Sequence, residues 1–78
     1  MSLMTRAAII DRYGMRVSME QLADILGWHP VTIYHQISRG EFPIRTYKEG
    51  SRRWASYEAV ADYLDGMDEA AKKEEQRA

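Results

Sequence analysis

The chain has 78 residues and no cysteine, which limits it to one small domain and excludes disulfide bridges and thiolate metal sites. No apolar run approaches the roughly 18 residues of a membrane-spanning helix, so we expect a cytoplasmic protein with no membrane partner. The formal net charge is −1, yet residues 29–57 carry five basic and two acidic side chains, whereas residues 58–78 carry three basic and seven acidic ones. A basic middle segment suits an anionic partner.

Residues 3–13 predict a leading helix. Its apolar stripe consists of residues spaced three apart: Ala7, Ile10 and Tyr13. Ile9 widens the stripe, but it is adjacent to Ile10, and neighbours on a helix cannot both lie at the centre of one packed face. We therefore expect one of the two, with Leu3 or Met4, to contact a partner subunit. The alternative is a helix that packs only on its own domain.

Residues 18–40 predict two short helices joined by a tight turn. Ser18 and Gln21 have the spacing of a capping box at the start of the first helix. Gly27 can adopt the left-handed conformation that ends it. The dipeptide His29-Pro30 then supplies the N-cap and the first position of the second helix, where a missing N–H costs nothing. Two helices around a glycine turn, the second with a polar outer face, are typical of the helix-turn-helix DNA-binding motif.

Residues 44–48 and 52–55 are β-prone runs separated by a three-residue loop, 49–51, and they predict a β-hairpin. Residues 15–17 form an extended link that can add a third strand. A final helix is expected from Tyr57, with Ser56 as its N-cap, to about Gly66. The remaining charged tail, residues 67–78, is either a solvated helical extension or frayed.

In this order, these features resemble the small winged helix-turn-helix proteins grouped as AlpA-like regulators and phage excisionases, relatives of the DNA-binding domain of MerR-type regulators. The resemblance is carried by residues 22–27, 32–34, 37, 39–43, 50, 52–54 and 60–64. It implies a mainly α fold with a small β-hairpin wing. It also implies that the second helix lies in the major groove and that the wing reaches the neighbouring backbone or minor groove.

The chain departs from the family pattern at three places. The second helix begins with His29, Pro30 and Val31 instead of small hydroxyl and basic residues. His35 stands where an arginine is common. The leading helix is additional to the shortest family members, which suggests a role in self-association.

Candidate DNA contacts lie on the second helix and on the hairpin. Gln side chains can read adenine and Arg side chains guanine in the major groove, and planar guanidinium groups also suit phosphate. Arg52 and Arg53 are adjacent on one strand and therefore point to opposite faces, so one faces DNA while the other packs over an aromatic ring or pairs with an acid. Tyr34 either reaches a phosphate from beneath the wing or is wholly core. The full candidate set is Thr32, Tyr34, His35, Gln36, Arg39, Arg45, Lys48, Arg52 and Arg53.

Other chemistries find little support in the sequence. Trp28 and Trp54 are expected in the core, because a chain this small needs large apolar side chains. His29 and His35 are rotated about 240° from each other on a helix and do not make a metal site. No nucleophile–base pair stands out by spacing. We expect no enzymatic activity, no cofactor and no metal.

The sequence thus predicts a leading helix with a self-association role (residues 1–14), a winged helix-turn-helix domain (15–66) and a charged tail (67–78). The expected function is sequence-specific binding of double-stranded DNA as a homo-oligomer, by a small phage- or mobile-element-type transcriptional regulator or excisionase. An integrase or RNA polymerase is the expected further partner. The alternative is a protein–protein interaction module without DNA binding, which the acidic last third favours.

Overall fold

The computed structural model describes the backbone of residues 3–77 and the side chains of residues 3–75; residues 1, 2 and 78 of the predicted leading and tail segments lie outside this range. Within it, the chain forms four helices and a three-stranded antiparallel sheet in the order β1-β3-β2. The elements in chain order are α1 (Leu3–Tyr13), β1 (Arg16–Ser18), α2 (Met19–Leu26), α3 (Pro30–Ser38), β2 (Tyr47–Glu49), β3 (Arg52–Ser56) and α4 (Tyr57–Arg77). The expectation of a mainly helical chain with a small β-hairpin is confirmed.

The ends of α2 follow the predicted local signals. The backbone N–H of Gln21 donates to Ser18 Oγ at 3.2 Å, and the N–H of Ser18 donates to Gln21 Oε1 at 3.1 Å, so the capping box is complete. Gly27 ends the helix in the left-handed region at φ 70°. Two residues later, His29 caps α3 by accepting a hydrogen bond from the Val31 N–H on Nδ1 at 3.2 Å.

Replacing Ser18 by Ala is expected to lower the free energy of unfolding by about 1 kcal/mol, because the N–H of Gln21 loses its acceptor. Urea unfolding followed by circular dichroism measures the change. The matched control is Ser51→Ala in the exposed hairpin loop, which should change stability by less than about 0.5 kcal/mol. Equal effects of the two substitutions would show that the capping box does not stabilise α2.

The sheet joins distant parts of the chain through β3. This strand pairs with β1 in the register Val17 to Ala55 and with β2 in the register Lys48 to Arg53. The predicted third strand is therefore present, one residue later than expected. The predicted hairpin is also present, but its first strand was placed too early and its loop has two residues instead of three. Ile44 is 3% exposed and packs in the core, so the chain reaches the sheet only at Tyr47.

The core lies between the inner face of the sheet and helices α2 and α4, with α3 packed on α2. Its largest fully buried side chains are Leu22, Ile33, Val17 and Val60. Trp28 packs against this core, as expected, and its ring meets Phe42 edge-on with centroids 6.0 Å apart. Trp54 is only partly buried, so its expected core position is wrong. It shares the sheet face of Ser18 and Tyr47, opposite to that of the buried Val17 and Ala55.

Helix α1 packs along α4, and the Thr5 hydroxyl donates to Asp65 Oδ1 at 3.0 Å. Its packed stripe was predicted one residue out of phase. Ile9 is buried at 5% exposure, whereas Ile10 is 39% exposed. The reason is that α1 contacts one helix and a short strand, which bury a narrower arc than the sequence stripe covers.

Helix α4 does not stop near Gly66 but continues to Arg77, so of the two predicted alternatives for the tail the solvated helical extension is the one observed. One glycine costs a helix about 1 kcal/mol, and the alanine, glutamate and lysine residues that follow are strong helix formers. Lys72 Nζ lies 3.4 Å from Asp68 Oδ2 one turn earlier. The start of the helix agrees with prediction, since the Ala59 N–H donates to Ser56 Oγ at 3.1 Å. None of the helices described within residues 3–77 is both long and apolar enough to cross a membrane.

Candidate functional site

An open groove of about 560 Å³ separates α3 from the β2–β3 hairpin, with the start of α2 at one end. Its walls come from three segments that are distant in sequence, and they hold more polar than apolar side chains. The lining residues are Ser18, Met19, Glu20, Tyr34, Ile37, Ser38, Lys48, Ser51, Arg52, Arg53 and Trp54.

Three basic side chains on the hairpin border this groove. Lys48 and Arg53 are cross-strand neighbours and share one face of the sheet, while Arg52 lies on the other face, as strand alternation requires. Arg53 is partly buried, and its Nη1 donates to Thr46 Oγ1 at 2.9 Å. Lys48 and Arg52 are exposed, and neither forms an ion pair within residues 3–75. These two cations are therefore the ones available to an anionic ligand.

The Arg16 side chain lies across the outer face of the sheet, the face that carries Trp54, and we call it the strap. Its guanidinium lies 4.0 Å from the centre of the Trp54 ring, and its Nη1 donates to Glu49 Oε2 at 3.0 Å. Because β3 lies between β1 and β2, this side chain crosses all three strands. Hydrogen bonding to the Tyr47 hydroxyl, and then to the Glu49 carboxylate, raises the pKa of Arg16 above its ordinary value. The strap neutralises the acid nearest the hairpin tip and covers the Trp54 ring.

Helix α3 presents its exposed side next to the groove. Tyr34 is 51% exposed and lines the groove wall, so the interpretation that it is wholly core is wrong. Successive residues turn by about 100°, which places His35 and Arg39 beside Tyr34 on one continuous exposed surface, with Thr32 at its far edge. Gln36 is partly buried and lies about 200° around the helix from Tyr34, next to Thr32 and Arg39 at the far edge of this surface.

Arg45 lies outside the groove. Its Nη2 is 3.6 Å from Asp62 Oδ2 on α4, and both side chains are largely solvent-exposed, at 66% and 40%. The structure thus brings Tyr34, Lys48, Arg52 and Arg53 together, places Thr32, His35 and Arg39 on the adjoining helix face with Gln36 at its partly buried edge, and separates Arg45 from both.

Several residues that line the groove were not predicted from the sequence. Glu20 is its one acidic lining residue, and Ser38, Ser51 and Trp54 complete the walls. Ser18 was recognised only as a helix cap. Nothing in the sequence indicated these positions, because they come together only when β3 packs against α2 and the hairpin lies across the groove from α3. Within the described part of the chain, no group of three or more His, Asp or Glu side chains is placed to hold a metal ion.

No protein-family model matches this chain. Searches against curated proteins and against solved structures found no match either. Function is therefore inferred from the groove and the helix face beside it.

Proposed function

We propose that the protein binds double-stranded DNA as a winged helix-turn-helix module. Helices α2 and α3 form the helix-turn-helix, and the β2–β3 hairpin forms the wing. The observation that carries the proposal is the groove between α3 and the hairpin, where two cations without ion pairs among the described residues lie across from Tyr34 and Ser38, beside the exposed polar face of α3. The chain as a whole has a net charge of −1, so its cations are concentrated at this groove rather than spread over the surface. Such a local positive charge attracts an anionic ligand.

The exposed face of α3 enters the major groove, which is about 12 Å wide and admits one helix. Arg39, His35 and Thr32 then lie toward the base edges, and Tyr34 lies toward the sugar–phosphate backbone. Lys48 and Arg52 contact phosphates from the wing and fix the position of the helix. The strap formed by Arg16 assists by removing the repulsion between the Glu49 carboxylate and a nearby phosphate.

We further infer that the protein is a small transcriptional regulator or an excisionase of phage or mobile-element type, acting in the cytoplasm by its placement on DNA. An RNA polymerase or an integrase is the corresponding protein partner. One recognition helix and one wing cover only a few base pairs, which is too little to select one site among the many in a genome. Selective binding therefore requires two or more copies on the DNA.

The test is a salt titration of binding to a labelled random-sequence duplex of about 25 base pairs, followed by fluorescence anisotropy. With the two cationic phosphate contacts of Lys48 and Arg52, log affinity should fall linearly with log salt at a slope of about −2. Arg52→Ala should weaken binding several-fold and flatten this slope by about one. The matched control is Arg12→Ala, which removes an equally exposed arginine from α1, outside the groove.

Two results would contradict the proposal. The first is no binding at about 20 mM salt by a protein that is folded by circular dichroism; it would favour the protein-interaction alternative. The second is an equal loss of DNA affinity in the Arg52→Ala and Arg12→Ala variants, which would show that DNA does not bind at the groove.

A further inference from the structure

Glu49 and Arg52 face each other across the tip of the hairpin, yet their side chains do not pair. The two residues are directly opposed in the register of β2 and β3, so both lie on the outer face of the sheet. Opposite charges at such positions ordinarily interact, because their Cβ atoms are only about 5 Å apart. Here Arg52 forms no ion pair with any described residue, and the Glu49 carboxylate bonds to Arg16 on β1 instead. The acid is thus held by an arginine from a different strand.

The position of Arg16 is fixed by its surroundings. On one side Val17 is fully buried, and on the other the Met15 carbonyl accepts a hydrogen bond from the Tyr57 N–H at 3.0 Å. The guanidinium itself lies 4.0 Å from the centre of the Trp54 ring, where the cation is attracted to the face of the ring. An arginine fixed in this way loses little conformational freedom when it binds a carboxylate, whereas a free surface arginine loses more.

We propose that Arg16 is a positioning residue for anion binding: it holds the Glu49 carboxylate away from Arg52 and so leaves Arg52 free to contact a phosphate. The inference rests on the proposed function, in which Arg52 contacts DNA from the wing. It adds that the charge of Arg52 is available only because Arg16 occupies the acid across the strand. Without Arg16, the Glu49 carboxylate pairs with Arg52, and a phosphate has to displace it.

This role differs from simple neutralisation of the Glu49 carboxylate. If Arg16 only reduces the repulsion between Glu49 and a phosphate, its loss weakens DNA binding whether or not Arg52 is present. If Arg16 keeps Arg52 free, its loss has little effect once Arg52 is absent. Measuring the same substitution with and without Arg52 therefore separates the two roles.

The experiment measures the affinity of the full chain for a random-sequence duplex at low salt. Arg16→Thr, which keeps a strand-forming residue on β1, should weaken binding about fivefold and flatten the salt slope by about one, as the loss of one phosphate contact does. In the Arg52→Ala background the same substitution should weaken binding by less than about twofold. Adding Glu49→Gln to Arg16→Thr restores the net charge of the unmodified chain and should bring the affinity back to within about twofold.

Two controls accompany these variants. Arg12→Gln removes an arginine that also lies over an aromatic ring, 5.6 Å from the centre of Tyr13, but outside the groove, and it should lower the affinity by less than about twofold. Thermal unfolding shows whether each variant is folded. Recovery of affinity by Glu49→Gln also excludes a misfolded hairpin as the cause of the loss, because this substitution supplies no contact that could rebuild the hairpin.

A measurement without DNA follows the Arg52 Nε–H resonance by NMR. In Arg16→Thr this resonance should shift, and its exchange with water should slow, because the guanidinium is then bonded to a carboxylate; Glu49→Gln should reverse both changes. If the unmodified chain does not bind DNA, the proposed function fails, while this measurement still decides whether Arg16 controls Arg52. The inference is overturned if the Arg52 resonance is unchanged in Arg16→Thr, if Arg16→Thr costs the same affinity in both backgrounds, or if Glu49→Gln does not restore binding.

Discussion

Replacing Leu22 by Ala should lower the free energy of unfolding by about 3–4 kcal/mol. Leu22 is fully buried on α2, which packs against α3, β1 and β3, so truncation opens a cavity at the centre of the domain. A domain of this size has a total stability of about 5–8 kcal/mol. The substitution should therefore bring the thermal midpoint down by more than about 15 °C, as measured by circular dichroism.

The control for this substitution is Val31→Ala on α3. Val31 is 50% exposed, so losing its two methyl groups leaves no cavity, and stability should change by less than about 0.5 kcal/mol. Similar midpoints for the two variants would show that the packed face of α2 is not the centre of the core.

Short-range signals in the sequence predicted the ends of the motif helices well. The capping hydrogen bonds of Ser18 and Ser56 each connect residues three apart, and the left-handed conformation of Gly27 is a property of a single residue. Such features depend on side-chain chemistry within one turn of helix. They are therefore readable before the chain is folded.

Features that depend on tertiary contacts were predicted less well. Whether Ile9 or Ile10 turns inward is decided by where α4 lies against α1, which the stripe of α1 alone does not reveal. The first hairpin strand was predicted to begin at Ile44 because isoleucine is β-prone. In the structure the Ile44 side chain packs in the core, and the strand begins only at Tyr47. The sequence left open whether the residues after Gly66 continue α4 or fray, because one residue that disfavours a helix precedes ten that favour it. In the structure they continue the helix.

The candidate site was predicted by residue type rather than by geometry. A basic segment indicated Lys48, Arg52 and Arg53 correctly as neighbours, because a hairpin brings its own two strands together. The same reasoning grouped Arg45 with them, although its side chain pairs with Asp62 on α4. The sequence could not show this, since the two residues are separated by both strands of the hairpin and the first turn of α4.

Reversing two charges of the groove should have the largest effect on the proposed DNA binding. In the Lys48→Glu and Arg52→Glu double variant, two phosphate contacts become repulsions, so affinity for a random-sequence duplex at low salt should fall on the order of a hundredfold or more. Both side chains are exposed and form no ion pair with another described residue, so the fold should persist, which thermal unfolding checks. The control Arg12→Glu, on α1 and outside the groove, changes the charge by the same amount per residue. It should lower the affinity for the duplex only a few-fold. If each reversal in the groove costs no more than Arg12→Glu does, the protein responds only to its net charge, and the groove is not where DNA lies.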